Sequence, residues 1–371
     1  MKYCQQCVLP DTRPGLVIGN DRVCNACKSG IEKRVIDWNQ REEAFRELVA
    51  RAKSKEKMYD CVIPVSGGKD STWQVVKCLE YGLHPLAVTW KSPARTEIGW
   101  KNLENLIGLG VDHIDYQINP RTESVFMLKA LESRGSTAIP MHMALFALPL
   151  QIAVKFDIPL VIWGENSAFE YGGDDDAEKT FNLDSRWVER YGVTQGTVAR
   201  DWISSDLTSE ALVPYSAPED AELKGKGILA VFMGYYFKWD PEESLRVALS
   251  HGFTVRQEGP KTGYYNYADI DDDFISIHHW LKWYKFGFTR TWDNLALEIR
   301  NGRMVRDEAI SIIRGRGDET PHEDIGKFCR FVGITRADFF SITEKFRNRE
   351  IWFQDQGVWK MRDFLIADWN W

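Results

Sequence analysis

Residues 66 to 71 read Ser-Gly-Gly-Lys-Asp-Ser, between the apolar run Cys61–Val65 and the helix-forming stretch Thr72–Leu79. That order predicts a strand, a glycine turn and a helix. Adjacent glycines let backbone N–H groups approach a bound anion closely, and the start of the helix adds about half a positive charge. Lys69 supplies a whole one, so the segment is a phosphate cradle. A second group of chemically competent residues precedes it: Cys4 and Cys7, then Cys24 and Cys27, two Cys-x-x-Cys pairs with sixteen residues between them. Four thiolates at this spacing suit tetrahedral zinc, and so short a segment gains its fold from the metal. Zinc is favoured because both pairs lie ahead of the phosphate loop; an iron–sulfur cluster is the competing reading. Disulfides are disfavoured in a chain with no export signal. Cys61, Cys78 and Cys329 are scattered and read as core or surface residues.

Spacing decides which phosphate loop this is. A Walker A loop needs a glycine where Ile63 stands and a hydroxyl where Asp70 stands, and the dinucleotide fingerprint needs a third glycine that is missing here. What remains resembles the loop of the PP-loop ATP pyrophosphatases. That resemblance implies cleavage of ATP between its α and β phosphates and transfer of AMP to an oxygen of the acceptor. It assigns Ser66, Gly67, Gly68, Lys69, Asp70 and Ser71 to ATP, with Lys69 offsetting charge that builds in the transition state.

The elements that must hold this loop show in the hydropathy pattern. Strand candidates at Cys61–Val65, Pro85–Trp90, His113–Ile118 and Pro159–Trp163 alternate with helix candidates at Asp70–Glu80, Glu97–Leu109, Arg121–Arg134 and Met143–Phe156. The fold class is therefore α/β, a parallel Rossmann-like sheet with helices on both faces, whose ligands bind beyond the carboxyl ends of the strands. At those ends stand Trp90, expected to stack on adenine, and Gly164-Glu165-Asn166. Glu165 is expected to join Asp70 on magnesium and Asn166 to hydrogen-bond ATP, the alternative for Asn166 being a helix N-cap. His142, opening an apolar helix, is expected to face the substrate as a binding or acid–base residue. The acidic runs Asp174–Asp176 and Asp271–Asp273 read as solvated loops. Residues 168–225 are loop-rich and suit a lid or insertion. Farther on, the aromatic and basic stretch His279–Arg290 offers Lys285 and Arg290 to anionic groups; its rings could meet a sugar or base, while most of them are expected to fill the core.

Composition narrows the function classes. The chain has 371 residues, enough for two or three domains, and its 47 Lys and Arg against 54 Asp and Glu give a net charge of −7. That balance argues against a large nucleic-acid footprint. The N-terminus has no apolar signal core, and the most apolar stretch, Met143–Val161, is interrupted by Gln151, Lys155, Asp157 and two prolines. The expected location is cytoplasmic, with no membrane partner.

Taken together, the double Cys-x-x-Cys, Ser66–Ser71, Trp163–Ser167 and Lys285-Phe286-Gly287-Phe288 leading into Glu298–Met304 resemble the N-acetyl sugar amidotransferases of surface-polysaccharide biosynthesis, a branch of the PP-loop group. The resemblance implies a zinc ribbon over 1–30, a connecting helix over 31–56, an ATP pyrophosphatase domain over 57–240 and a helical substrate or partner region over 241–371. It implies ATP, Mg2+ and Zn2+ as cofactors and a nucleotide-activated N-acetyl sugar, UDP- or CMP-linked, as acceptor. Because the chain shows no glutaminase of its own, a separate glutaminase with a channelling synthase-type subunit is the expected ammonia source. A PP-loop enzyme that modifies tRNA and a non-catalytic nucleotide-binding subunit are the alternatives.

Overall fold

The structure is a computed structural model that describes residues 1–173, 180–316 and 319–371; the acidic run Asp174–Asp176 lies outside the described residues. Strands β1 (Cys61–Pro64), β2 (Pro85–Trp90), β3 (Asp112–Tyr116), β4 (Leu160–Trp163) and β5 (Leu229–Phe232) form one sheet in the order β3-β2-β1-β4-β5, with every pairing parallel. The first four match the strands read from sequence to within two residues at either end. β2 is buried throughout and β1 nearly so, because strands covered on both faces need continuous apolar runs. The run Ile228–Phe237 divides between β5 and one helical turn.

Helices α1 (Asn25–Glu32) and α2 (Trp38–Lys53) precede the sheet. The Asp37 side chain caps α2 by accepting from the N–H groups of Asn39 and Gln40, and α2 buries Phe45, Leu48 and Val49. α3 (Lys69–Glu80), α4 (Glu97–Ile107), α5 (Pro120–Arg134) and α6 (Ile139–Phe156) are the crossovers expected from the alternation, and α5 ends where Gly135 turns left-handed at φ +55°. By length and composition α6 is apolar enough to cross a membrane, but 61% of it is buried within the fold.

Residues 168–225, expected as a lid, carry α7 (Ser167–Tyr171), α8 (Ser185–Tyr191) and α9 (Asp220–Gly225). Their described part is built into the outer layers. Ala199, Leu207, Leu212 and Tyr215 join the core of α5 and α6, while Leu183, Trp187 and Leu223 pack beside β5.

The remaining chain adds α10 (Met233–Tyr236), α11 (Pro241–Ser250), α12 (Ile275–Phe286), α13 (Arg290–Arg300), α14 (Arg306–Arg316), α15 (His322–Val332) and α16 (Arg336–Glu344). It closes with the antiparallel pair β6 (Trp352–Asp355) and β7 (Val358–Met361). The hairpin turn, Gln356-Gly357, takes positive φ at both positions, as a tight two-residue connection requires. α12 serves two cores: Ile277, Trp280 and Leu281 face α5, α6 and α15, while Trp283 faces a cluster that holds Cys4, Cys7, Cys24 and Cys27 together with Trp292 and Leu295 of α13. The cysteine segment thus borrows its apolar core from the far end of the chain, and residue 30 is not a break in packing. Arg306 Nε reinforces the join by donating to the Cys7 carbonyl at 3.0 Å.

Trp292 is fully buried in that shared cluster. Trp292→Ala should lower stability by about 3–5 kcal/mol and expose the four ribbon cysteines to a thiol reagent well below the melting temperature. Thermal denaturation with timed thiol labelling checks both; protected cysteines in the variant would mean that the ribbon folds alone.

Candidate active site

A cavity of about 410 Å³ opens at the carboxyl edge of the sheet. It lies where the strand order turns from β1 to β4, the place at which crossovers leave in opposite directions and make room for a ligand. The end of β1 contributes Ser66, Gly68, Lys69 and Asp70; β2 contributes Thr89 and Trp90, and β4 leads to Glu165. The opposite wall comes from the segment between α11 and α12, with Tyr265, Tyr267, Asp269, Asp271 and Asp272, and from Arg290 at the start of α13.

Within the loop, Gly67 turns the chain at φ +88°, and a Cβ there would lie 2.7 Å from the backbone nitrogen of Leu103 in α4. Only glycine satisfies both demands. Gly68 is the N-cap of α3 and provides no side-chain cap, so the first-turn N–H groups, which have no carbonyl four residues back, are left for another acceptor. The Ser71 hydroxyl donates to the Gly68 carbonyl at 2.9 Å, and Ser66 Oγ accepts from the Gly68 N–H at 3.2 Å. Gly67 and Ser71 therefore shape the turn and do not line the cavity. Lys69 is 6% exposed, and its Nζ donates to Asp70 Oδ2 at 2.6 Å, above the rings of Trp239 and Tyr267. The other Asp70 oxygen accepts from Trp239 Nε1 at 2.9 Å.

Burial, and then the neighbouring Asp70, pushes the Glu165 carboxyl up to about 7. Burial also pushes Asp272 up to about 7 and raises Asp271, which Ser66 partly offsets by hydrogen bonding. The expectation of a solvated loop at Asp271–Asp273 is corrected here: Asp271 and Asp272 line the cavity, and Asp273 is buried against Lys261 and Lys327. Nothing local in a run of three aspartates reveals those distant partners. Asp70 and Glu165 face one space with hard oxygen donors, which suits magnesium bound jointly with phosphate and water. Among the described residues the only close set of three or more ligand side chains is the cysteine group, so the rest of a magnesium shell falls to the nucleotide.

The other site expectations divide. Trp90 forms part of the wall and is 7% exposed, its Nε1 donating at 2.7 Å to Glu123, whose carboxyl burial pushes up to about 8. His142 lines the cavity, but its Nδ1 lies 2.9 Å from the Ala138 carbonyl and burial pulls it down to about 4. It is neutral at pH 7, and its one ring proton, at Nδ1, is held by the Ala138 carbonyl. Arg290 is in place, its Nε donating to Asp269 at 3.2 Å. Burial alone would raise Asp269; Arg290 and His279 hold it well below the usual carboxylate range.

Three further expectations are corrected. Asn166 Oδ1 caps α7 through the Ala168 N–H and accepts from Trp187 Nε1, both at 3.1 Å, so its amide does not line the cavity. Gly164 packs against Gln74 and accepts from the Gly234 N–H at 3.0 Å, also outside it. Lys285 donates at 2.9 Å to the Gly135 carbonyl at the end of α5. Gly287, at φ +74°, breaks the chain between α12 and α13, so Lys285 and Arg290 do not share a face. The rings of the His279–Arg290 stretch mostly fill the core, as expected for most of them: Trp280, Trp283 and Phe288 are buried away from the cavity. Besides Trp90, the cavity is lined by the rings of Tyr171, Trp239, Tyr265 and Tyr267, with Tyr265 and Tyr267 stacked at 4.7 Å. Their two-residue spacing was the only trace of this in the sequence.

The ribbon thiols are buried and lie within 4.8 Å of one another, with Sγ separations of 4.0 Å for Cys4–Cys27 and 3.8 Å for Cys7–Cys24. Tetrahedral zinc with Zn–S bonds of about 2.3 Å separates its sulfurs by about 3.8 Å, so the donor set fits zinc. The N–H groups of Cys7 and Cys24 donate to Cys4 Sγ, which favours thiolate. A second cavity of about 280 Å³, lined by Lys33, Glu170 and Arg300, lies beside the ribbon helix α1 and shares Leu297 with the first.

A doubly wound parallel sheet that presents a glycine-lysine loop and an uncapped helix at its switch point is a nucleotide-binding architecture. Residues 261–365 match the family model described as LPS biosynthesis protein WbpG-like, C-terminal domain. The matched segment supplies Tyr265, Tyr267, Asp269 and Arg290 to the cavity. Among solved structures, NMN synthetase from Francisella tularensis is similar at 12% identity and TM-score 0.36, over 78% of this chain and 96% of that one. No curated protein matches the chain.

The purified chain should contain about one zinc per molecule, and Cys24→Ser should lose it together with several degrees of melting temperature. Elemental analysis checks this; iron and sulfide in the preparation would assign the four thiols to a cluster instead.

Proposed function

We propose that this chain is an ATP-dependent, AMP-forming amidotransferase of surface-polysaccharide biosynthesis that converts the acetamido group of a nucleotide-activated N-acetyl sugar into an acetamidino group. The observation that carries the proposal is the sharing of one cavity by two chemistries: the uncapped start of α3 with Lys69 on one side, and on the other the rings and Arg290 of the segment that matches the LPS biosynthesis family.

In this mechanism the first-turn amides of α3 and Lys69 hold the pyrophosphate end of ATP, and Trp90 walls the base. Magnesium, bound by Asp70 and Glu165 with the phosphates, would neutralise charge on the leaving pyrophosphate. Tyr265 and Tyr267 stack on the sugar, while Arg290, oriented by Asp269, takes an anionic group of the acceptor. The acetamido oxygen attacks the α-phosphorus and pyrophosphate leaves. Ammonia then adds to the imidate carbon, Glu165 accepts the proton it sheds, and AMP departs with the former amide oxygen. Cys61, Cys78 and Cys329 are all buried and none lines the cavity, which supports delivery of ammonia by a separate glutaminase.

Incubation with ATP, ammonium and UDP- or CMP-linked N-acetyl sugars should yield AMP and a sugar lighter by about one mass unit by mass spectrometry, with no product from glutamine. AMP formed on tRNA in place of any sugar would overturn the acceptor assignment.

A carboxyl near 7 that must be ionised to accept a proton loses its function as pH falls. At fixed unprotonated ammonia and subsaturating ATP, kcat/KM, which reports the ionisation of the free enzyme, should therefore rise about tenfold per pH unit below 7 and level off above it, and Glu165→Gln should remove that dependence. A flat wild-type profile between pH 5.5 and 8 would exclude Glu165 as the base.

A further inference from the structure

The loop does not stand alone: its acid and lysine end a line of buried polar contacts that starts at the ribbon. Lys33 follows α1, the helix that carries Cys27, and is 6% exposed. Its Nζ donates to Glu170 Oε1 and to the Trp239 carbonyl, each at 2.6 Å. The indole of the same Trp239 donates to Asp70, and Asp70 accepts from Lys69. Glu170 is fixed from its other side, where Arg300 Nη2 donates to its carbonyl at 2.9 Å. Gly30 of α1 in turn packs so closely on Arg300 that a Cβ would come within 3.2 Å of its Cδ.

From this geometry we propose that Lys33 is a positioning residue for the nucleotide loop: through Trp239 it sets the side chains of Asp70 and Lys69, and so couples the folded ribbon to ATP binding. The inference rests on the ATP-binding reading above. A buried lysine–glutamate pair is poor value as a stabiliser, because desolvation cancels much of the attraction. Its geometric demand is strict, and here both acceptors of Lys33 belong to segments that wall the cavity: Glu170 precedes Tyr171, and Trp239 faces the loop itself. The ribbon is thereby part of the active-site scaffold.

The test is calorimetric titration of the full-length chain with magnesium and the α,β-methylene analogue of ATP, well below the melting temperature. Lys33→Met should weaken binding about tenfold, with zinc content kept and with partial rescue in Lys33→Arg. Trp239→Phe, which keeps the ring and the carbonyl but removes the donor to Asp70, should weaken it to a similar degree. The double variant should be no weaker than either single one, since both cut the same line. Unchanged affinity in Lys33→Met, even with a lower melting temperature, would make Lys33 purely structural and overturn the proposal. Additive losses would also overturn it, because they assign the two residues to separate routes. If the wild-type chain fails to bind the nucleotide, the ATP reading itself falls.

Discussion

The turn at Gly67 is the constraint on which the rest of the site depends. A left-handed backbone pressed against the nitrogen of Leu103 directs the chain from the end of β1 into α3 without a side chain in the way. Once that turn is made, the first-turn amides of α3 open toward the switch point, and Lys69 and Asp70 emerge on the cavity side. Every other contribution is arranged around these groups: Glu165 from β4, Trp90 from β2, and the Tyr265–Asp272 segment laid across from them. A cradle of backbone amides needs little reorganisation when an anion binds, which is why so small a motif defines the chemistry of a whole cavity.

The cavity holds far more carboxylate than an isolated nucleotide loop would need. Asp70, Glu165, Asp269, Asp271 and Asp272 share it with Lys69, Arg95 and Arg290. The structure treats them in two ways. Asp269 is held ionised by Arg290 and His279 despite burial, whereas burial lifts Glu165 and Asp272 toward neutrality, with Asp70 adding to it at Glu165 against a smaller opposing pull from Lys69. A magnesium nucleotide would supply the missing positive charge at Glu165, so an acid protonated in the free protein near neutral pH becomes a carboxylate as the substrate arrives. The proposed base and the proposed metal ligand are then the same group, used at different stages.

The two ends of the chain form one structure. The cysteine segment is too short to bury its apolar residues alone, and it lies on α12, α13 and the closing hairpin, with Trp292 at the centre of the shared cluster. The docking brings the ribbon helix against Arg300 and places Lys33 among the residues behind the loop. A four-cysteine knuckle and a region that matches an LPS-biosynthesis family model thus support one cavity from behind and from in front.

The loop, the strand-helix alternation and the cysteine pairs were legible in the sequence because each is a local pattern: adjacent glycines, a period of two or 3.6, a spacing of three. Four strands and most helices follow from these directly, as do Lys69, Asp70 and Glu165 in the cavity, since a strand end in a parallel sheet has one place to go. What the tertiary structure decided is which side chains turn inward. Arg290 enters and Lys285 does not, because a left-handed glycine separates their helices; Asn166 is spent on capping a short helix; and Asp271 and Asp272 are buried by partners far away in the chain. Four more rings of the cavity, Tyr171, Trp239, Tyr265 and Tyr267, join Trp90 through packing between segments far apart in the chain. Local sequence carries no record of such meetings, because they depend on burial against distant surfaces and not on the preferences of neighbouring residues.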